Sequence, residues 1–190
     1  MGDSIAALVV MGVSGCGKSS VGAAVAELAG VRLIEGDSFH PAGNIAKMSA
    51  GIPLDDDDRA GWLARLGEEM ARTLSEGAAP VLTCSALKLK YRDALRAAVP
   101  RLGFVFLDLT REMAARRVAE RPGHFMPASL IDSQFAALER PSAEALTLTL
   151  DATRPLSEMA DQVVAWWRVP VALAADAQQV PGSTLHQQTV

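Results

Sequence analysis

The chain has 190 residues, which suits one domain with a full-sized core. Hydrophobic residues make up 49% and charged residues 21%, a balance that excludes a disordered or low-complexity chain. With 18 basic against 22 acidic residues the net charge is -4, so the basic excess of a nucleic-acid or anionic-membrane binder is missing.

The apolar run Ile5–Val13 lacks a basic flank and leads into a glycine-rich stretch, so it reads as a buried strand and not as a signal peptide. No stretch is long and apolar enough for a bilayer. Cys16 and Cys84 form no CxxC pair and no disulfide pattern. That usage fits a reducing compartment, and the expectation is a cytoplasmic protein.

In chain order, the pattern predicts a buried strand over Ala6–Met11 and an alanine-rich helix over Lys18–Ala29. A second strand begins at Arg32–Ile34. Trp62, Leu63, Leu66, Met70 and Leu74 recur at helical spacing within Arg59–Leu74. Val81–Cys84 reads as a third strand, Lys88–Ala98 as a helix that stops before Pro100, and Phe104–Leu109 as a fourth strand. Helices follow over Arg111–Glu120 and Ala128–Leu138, then a fifth strand over Leu146–Leu150 and a closing helix over Pro155–Trp167, with proline in its first turn. Strands alternating with helices imply parallel pairing and a three-layer α/β fold: a five-stranded sheet with helices on both faces. One domain over 1–169 is expected, and the polar stretch 170–190 reads as a mobile tail.

Between the first strand and the first helix stands Gly12-Val13-Ser14-Gly15-Cys16-Gly17-Lys18-Ser19, a full G-x-x-x-x-G-K-[ST] string. Its glycines let consecutive N–H groups turn inward onto phosphate oxygens, and the helix N-terminus behind adds partial positive charge. Gly12, Ser14, Gly15, Cys16, Gly17, Lys18, Ser19 and Ser20 are the nucleotide-binding candidates, with Ser20 already a helix residue. Lys18 is placed to reach the β- and γ-phosphates and the Ser19 hydroxyl to coordinate Mg²⁺. No N-K-x-D guanine reader occurs, which favours ATP.

The second strand ends in Glu35-Gly36-Asp37-Ser38-Phe39-His40-Pro41. Acids at that end of a strand lie in the crevice where open α/β sheets take ligands. Glu35 is the Mg²⁺-side candidate, and Asp37 is the candidate base and ligand for a substrate hydroxyl. A plainer alternative is that both cap the next helix. His40 reads equally as a substrate contact or a structural hydrogen-bond partner.

Further strings follow: Asn44-Ile45-x-Lys47-Met48, Gly51-x-Pro53-Leu54-x-Asp56-Asp57-Asp58-Arg59-x-x-Trp62-Leu63, and Cys84-Ser85-Ala86-Leu87-Lys88-x-x-Tyr91-Arg92. The last are Gly123-His124-Phe125, Gln134-Phe135 and Leu138-Glu139. In order and spacing, from about Leu8 to Trp167, these resemble the gluconokinase (gluconate kinase) family, small P-loop kinases related to shikimate and nucleoside monophosphate kinases. Cys16, Ser20 and Glu35 depart from the serine, threonine and aspartate more frequent there, and keep the relevant chemistry.

The resemblance implies transfer of the γ-phosphoryl group of ATP, with Mg²⁺, to D-gluconate, and a homodimer. It places Arg59 at the acceptor, where its fork suits a carboxylate. Lys47, on a short helix after an Asn44 cap, is a second carboxylate candidate. Asp55–Asp58 reads as acids favoured at a helix N-terminus. Ser85, Lys88, Arg92, His124 and Gln134 complete the substrate candidates, and Arg92 reads alternatively as the partner of an acid of the domain. Arg117 and Arg121, four apart, lead into a Pro/Gly segment and suggest a lid over about 117–127 that closes on phosphates, with Arg121 in a catalytic role. Trp166-Trp167 reads as core or subunit contact. Two other readings stay open: a related kinase for shikimate or another small hydroxy acid, and a nucleotide-dependent binding module without transfer.

Overall fold

The computed structural model describes residues 4–120 and 128–168. The elements are β1 (Ala7–Met11), α1 (Lys18–Ala29), β2 (Arg32–Glu35), a 3₁₀ turn (Gly36–Phe39), α2 (Ala42–Ser49), α3 (Asp56–Ser75) and β3 (Pro80–Thr83). They continue with α4 (Leu89–Ala98), β4 (Leu102–Asp108), α5 (Arg111–Ala119), α6 (Ala128–Ala137), β5 (Thr147–Asp151) and α7 (Leu156–Trp167). The five strands form one parallel sheet in the order β2-β3-β1-β4-β5.

The period of two along β1 divides the core between the faces of the sheet. Leu8 and Val10 join Val21 and Val25 of α1 and Val163 and Trp167 of α7. Ala7, Val9 and Met11 join Trp62, Leu66 and Met70 of α3 and Leu95 of α4. Helices therefore cover both faces, as expected of strands that read as continuous apolar runs. Trp167 belongs to this core, where its Nε1 donates to the Ile5 carbonyl at 3.0 Å.

Because β1 has β3 on one side and β4 on the other, the sheet's order reverses there, and a crevice opens past its C-terminal end. The loops after β1, β2 and β3 all empty into it. Among the described residues no helix is long and apolar enough to cross a membrane.

Three expected starts move. Asn44 lies inside α2 and does not cap it; Pro41 is the N-cap. Pro155 likewise precedes α7 as its N-cap, just outside the first turn. The helix expected from Arg59 begins at Asp56, since Asp55 and Asp58 close a capping box around its first turn. The tail 170–190 lies outside the described residues, as does the lid sequence from Arg121 to Pro127.

Candidate active site

The phosphate loop bridges β1 and α1. Gly17 is the α1 N-cap in a left-handed conformation (φ 99°), without a side-chain cap and without an acid in the first turn. The first N–H groups of α1 are thus left to an outside acceptor. Gly15 also has a positive φ, and a Cβ there would stand 2.9 Å from the Ala114 carbonyl oxygen. Only glycine lets the loop lie this close to α5. Lys18 folds over the loop and donates to the Val13 carbonyl at 3.1 Å. Arg117, the α5 candidate, donates to the Ala152 carbonyl at 2.8 Å and to the Gly15 carbonyl at 3.5 Å. Cys16 is buried, and Ser20 is exposed on α1.

The end of β2 brings an acid to the loop. Ser19 Oγ donates to Glu35 Oε2 at 3.1 Å, and Thr83 Oγ1 donates to the same oxygen at 2.6 Å. A hydroxyl and a pinned carboxylate are the hard oxygen donors that Mg²⁺ takes. Thr83 escapes a sequence reading because its role depends on the parallel pairing of β2 with β3, which sets Glu35 opposite it. Asp37 follows in the 3₁₀ turn, exposed.

Lys18, Asp37, His40 and Arg59 line one pocket, together with Ser14, Ser85 and Gln134. Met48, Ile52, Pro53 and Leu54 form an apolar side; three of them stand in the quoted strings, but none reads there as lining the site. His40 is buried and stacks on Trp62, ring centroids 4.0 Å apart. Trp62 is itself fixed by donation to the Gly36 carbonyl at 2.9 Å. Asn44 Nδ2 donates to the Asp58 carbonyl at 2.8 Å and faces His40 Nδ1 at 3.4 Å. A carbonyl only accepts, so the Asn44 amide nitrogen is fixed there, and Nδ1 must accept its second hydrogen. The ring proton is thereby assigned to Nε2. Burial lowers the His40 pKa and Arg59 acts in the same sense, against Asp37, which keeps the ring neutral.

Arg59 donates through Nε to the Leu54 carbonyl at 3.4 Å, and its guanidinium lies 5.7 Å from the centre of the Tyr91 ring. Among the described residues its two terminal nitrogens make no hydrogen bond. Gln134 reaches the pocket but commits its amide to Ser14, within hydrogen-bonding distance on both sides.

Three expected substrate ligands are engaged elsewhere. Lys47 pairs with both carboxylate oxygens of Asp58, at 2.6 and 2.7 Å. Lys88 pairs with Asp56 at 2.8 Å, and Lys90 and Tyr91 hold the same carboxylate. These donors, Lys88 first, keep the Asp56 carboxyl well below the usual carboxylate range. Arg92 is the plain correction. It is fully buried, and its donors go to Glu144 and to the Ala86, Leu87 and Glu139 carbonyls. A side chain with every N–H spent on protein cannot clamp a substrate; the alternative reading, an acid of the domain, is the one the structure supports.

Arg92 instead fixes the segment after β3. It holds the carbonyl of Ala86, whose positive φ of 44° is costly for a residue with a Cβ. Ser85 stands next to it, and its carbonyl accepts from the Gly12 N–H at 3.3 Å. Cys84 is buried, and burial pushes its thiol up to about 12. Arg121 and His124 lie outside the described residues.

A family model described as an AAA domain matches residues 8–141. Over 136 residues the chain is 47% identical to the thermosensitive gluconokinase of Escherichia coli, covering 72% of this chain and 73% of that one. It is 48% identical over 134 residues to a gluconokinase of Gluconobacter oxydans, 70% and 75% covered. The crystal structure of a gluconokinase from Sinorhizobium meliloti superposes with a TM-score of 0.78 at 47% identity, covering 91% of this chain and 95% of that one.

Proposed function

The chain belongs to the gluconokinase family, and on that premise we propose that it phosphorylates D-gluconate with ATP to give 6-phospho-D-gluconate and ADP. One observation carries the proposal: Lys18, Asp37 and Arg59 line a single pocket at the mouth of the phosphate loop. A phosphate cation, a carboxylate base and a carboxylate-binding arginine are what transfer to a sugar acid requires.

In this reading the loop N–H groups and Lys18 hold the triphosphate. Ser19 and Glu35 hold Mg²⁺, which neutralises phosphate charge when bound. Arg59 anchors the gluconate carboxylate with its two terminal nitrogens. His40 Nε2–H and Ser85 donate to hydroxyls along the chain. Asp37 accepts the proton of the terminal hydroxyl as that oxygen bonds to the γ-phosphorus. The bond from that phosphorus to the bridging oxygen breaks, and ADP carries the electron pair away. Arg117, already against Gly15, stabilises the phosphate side, and Arg121 from the lid sequence is assigned to the same task.

The same proposal sets the enzyme in the cytoplasm, where a reducing medium suits the free thiols Cys16 and Cys84. A panel of acceptors tests the function. With Mg·ATP, ADP release should be stimulated strongly by gluconate and little by shikimate, glycerate or nucleosides. A better response to shikimate would leave a kinase and overturn its substrate; stimulation by none would favour a binding module.

A further inference from the structure

Helix α6 meets the phosphate loop through one side chain. The Ser14 N–H donates to Gln134 Oε1 at 2.7 Å, and Gln134 Nε2 donates to Ser14 Oγ at 3.0 Å. A backbone N–H only donates, so the Gln134 carboxamide can sit only this way round. The reciprocal pair fixes the side chain of Gln134 and both the backbone and the hydroxyl of Ser14, across 120 residues of sequence.

The position of the pair gives it consequence. Ser14 is the third residue of the loop and lines the pocket beside Lys18. Gln134 lines it beside Leu130 and Ser133 of α6. A molecule in the pocket therefore rests on α6 and on the loop at once. Ser14 Oγ accepts from Gln134, so its own hydrogen is left to donate. Among the described residues it meets no acceptor, and the pocket is where one would arrive.

We propose that Gln134 is a positioning residue that acts through Ser14, joining the phosphate loop and α6 into one element so that nucleotide and acceptor strengthen each other's binding. The inference rests on the kinase reading, since it needs both ligands in one pocket. Two ligands that bias one element are coupled, and the coupling is reciprocal. Cutting the pair removes the link between the two sites, so the readout is the ratio of affinities and not either affinity alone.

Calorimetry tests this with gluconate titrated in the absence and presence of a non-hydrolysable ATP analogue with Mg²⁺. In the unmodified protein the analogue should tighten gluconate binding by about fivefold or more. In Gln134→Met, which keeps length and loses both hydrogen bonds, that ratio should fall to about one. Gln134→Glu still accepts from the Ser14 N–H and can take the Ser14 hydroxyl hydrogen, so it should recover part of the ratio. If Gln134→Met does not fold, Ser14→Ala removes half of the pair and should lower the ratio. A ratio unchanged in Gln134→Met, or close to one in unmodified protein that does bind gluconate, would overturn the proposal.

A second arm needs no acceptor. The analogue alone should slow hydrogen exchange of α6 amides in the unmodified protein and not in Gln134→Met. Equal slowing in both, or slowing in neither, would overturn the coupling. If gluconate never binds while α6 behaves as expected, the coupling stands and the gluconate reading fails.

Discussion

Helices α1 and α3 both begin at the rim of the pocket, and their first turns are completed in opposite ways. At α1 the cap is Gly17, in a left-handed conformation, with no side chain over the N–H groups and no acid among them. At α3, Asp55 accepts from Asp58 N–H at 2.8 Å, Asp58 accepts in return from Asp55 N–H at 3.0 Å, and Asp56, Asp57 and Asp58 fill the turn. Both ends start with the same unsatisfied donors and the same partial positive charge. One is left for an outside anion; the other is satisfied by the chain itself and turned negative. An anionic acceptor at α3 must then be drawn by a side chain, and Arg59, in the turn that follows and lining the pocket, is the one proposed for it.

The sharpest way to break this contrast is at the α1 end. Lys18→Met should lower turnover by about 10²–10³, the loss seen when one preorganised donor to a developing charge is removed. Rapid-mix kinetics would check it, and the KM for gluconate should move far less. At the α3 end, Arg59→Lys keeps the charge and loses the fork. Loss of one charge-assisted hydrogen bond, about 1.5–3 kcal/mol, should raise the KM for gluconate about tenfold or more and leave the KM for ATP in place.

Asp55→Ala removes the cap without touching the pocket. It should cost about 1 kcal/mol of stability, read as a lower thermal midpoint, with the KM for ATP unchanged. No equivalent substitution exists at α1, whose cap already lacks a side chain.

The smallest effect concerns pH. The folded state holds the His40 pKa below the ordinary 6.5, so the native protein favours the neutral ring. Its contribution to stability is complete above 6.5 and is lost as pH falls from there through the lowered value. Protonation would also turn an Nδ1–H against the Asn44 amide hydrogen. The KM for gluconate should therefore stay flat through 6.5 and rise only as pH falls through the lowered native value, and His40→Gln should flatten the profile.

The same contrast explains what was legible in the residues. The phosphate loop acts through backbone conformation, and conformation follows local spacing, so Gly12 to Ser19 can be read from the string alone. The five strands follow from local patterning within a residue or two at the ends, and their parallel pairing from the alternation with helices; the order β2-β3-β1-β4-β5 does not follow from the sequence pattern. The acceptor wall acts through side-chain pairing over long separations. Arg92 finds Glu144 52 residues away and Lys88 finds Asp56 32 residues away, and no local pattern tells a lysine or arginine paired with protein from one waiting for substrate. Lys47 was equally ambiguous; its partner Asp58 caps the next helix. Thr83 became visible only once β2 met β3, and Asn44, read from the sequence as a cap, showed its actual partner only once α2 met α3.

The central claim is that Asp37 receives a proton from an acceptor held beside Lys18. Single-turnover transfer from γ-labelled Mg·ATP tests it most directly, comparing the unmodified protein with Asp37→Asn. The account predicts label on the terminal oxygen of gluconate in the unmodified protein. In the variant, ATP should still bind while transfer slows by about 10²–10⁴. Transfer at the unmodified rate in Asp37→Asn, or label released only as inorganic phosphate whether or not gluconate is present, would contradict it.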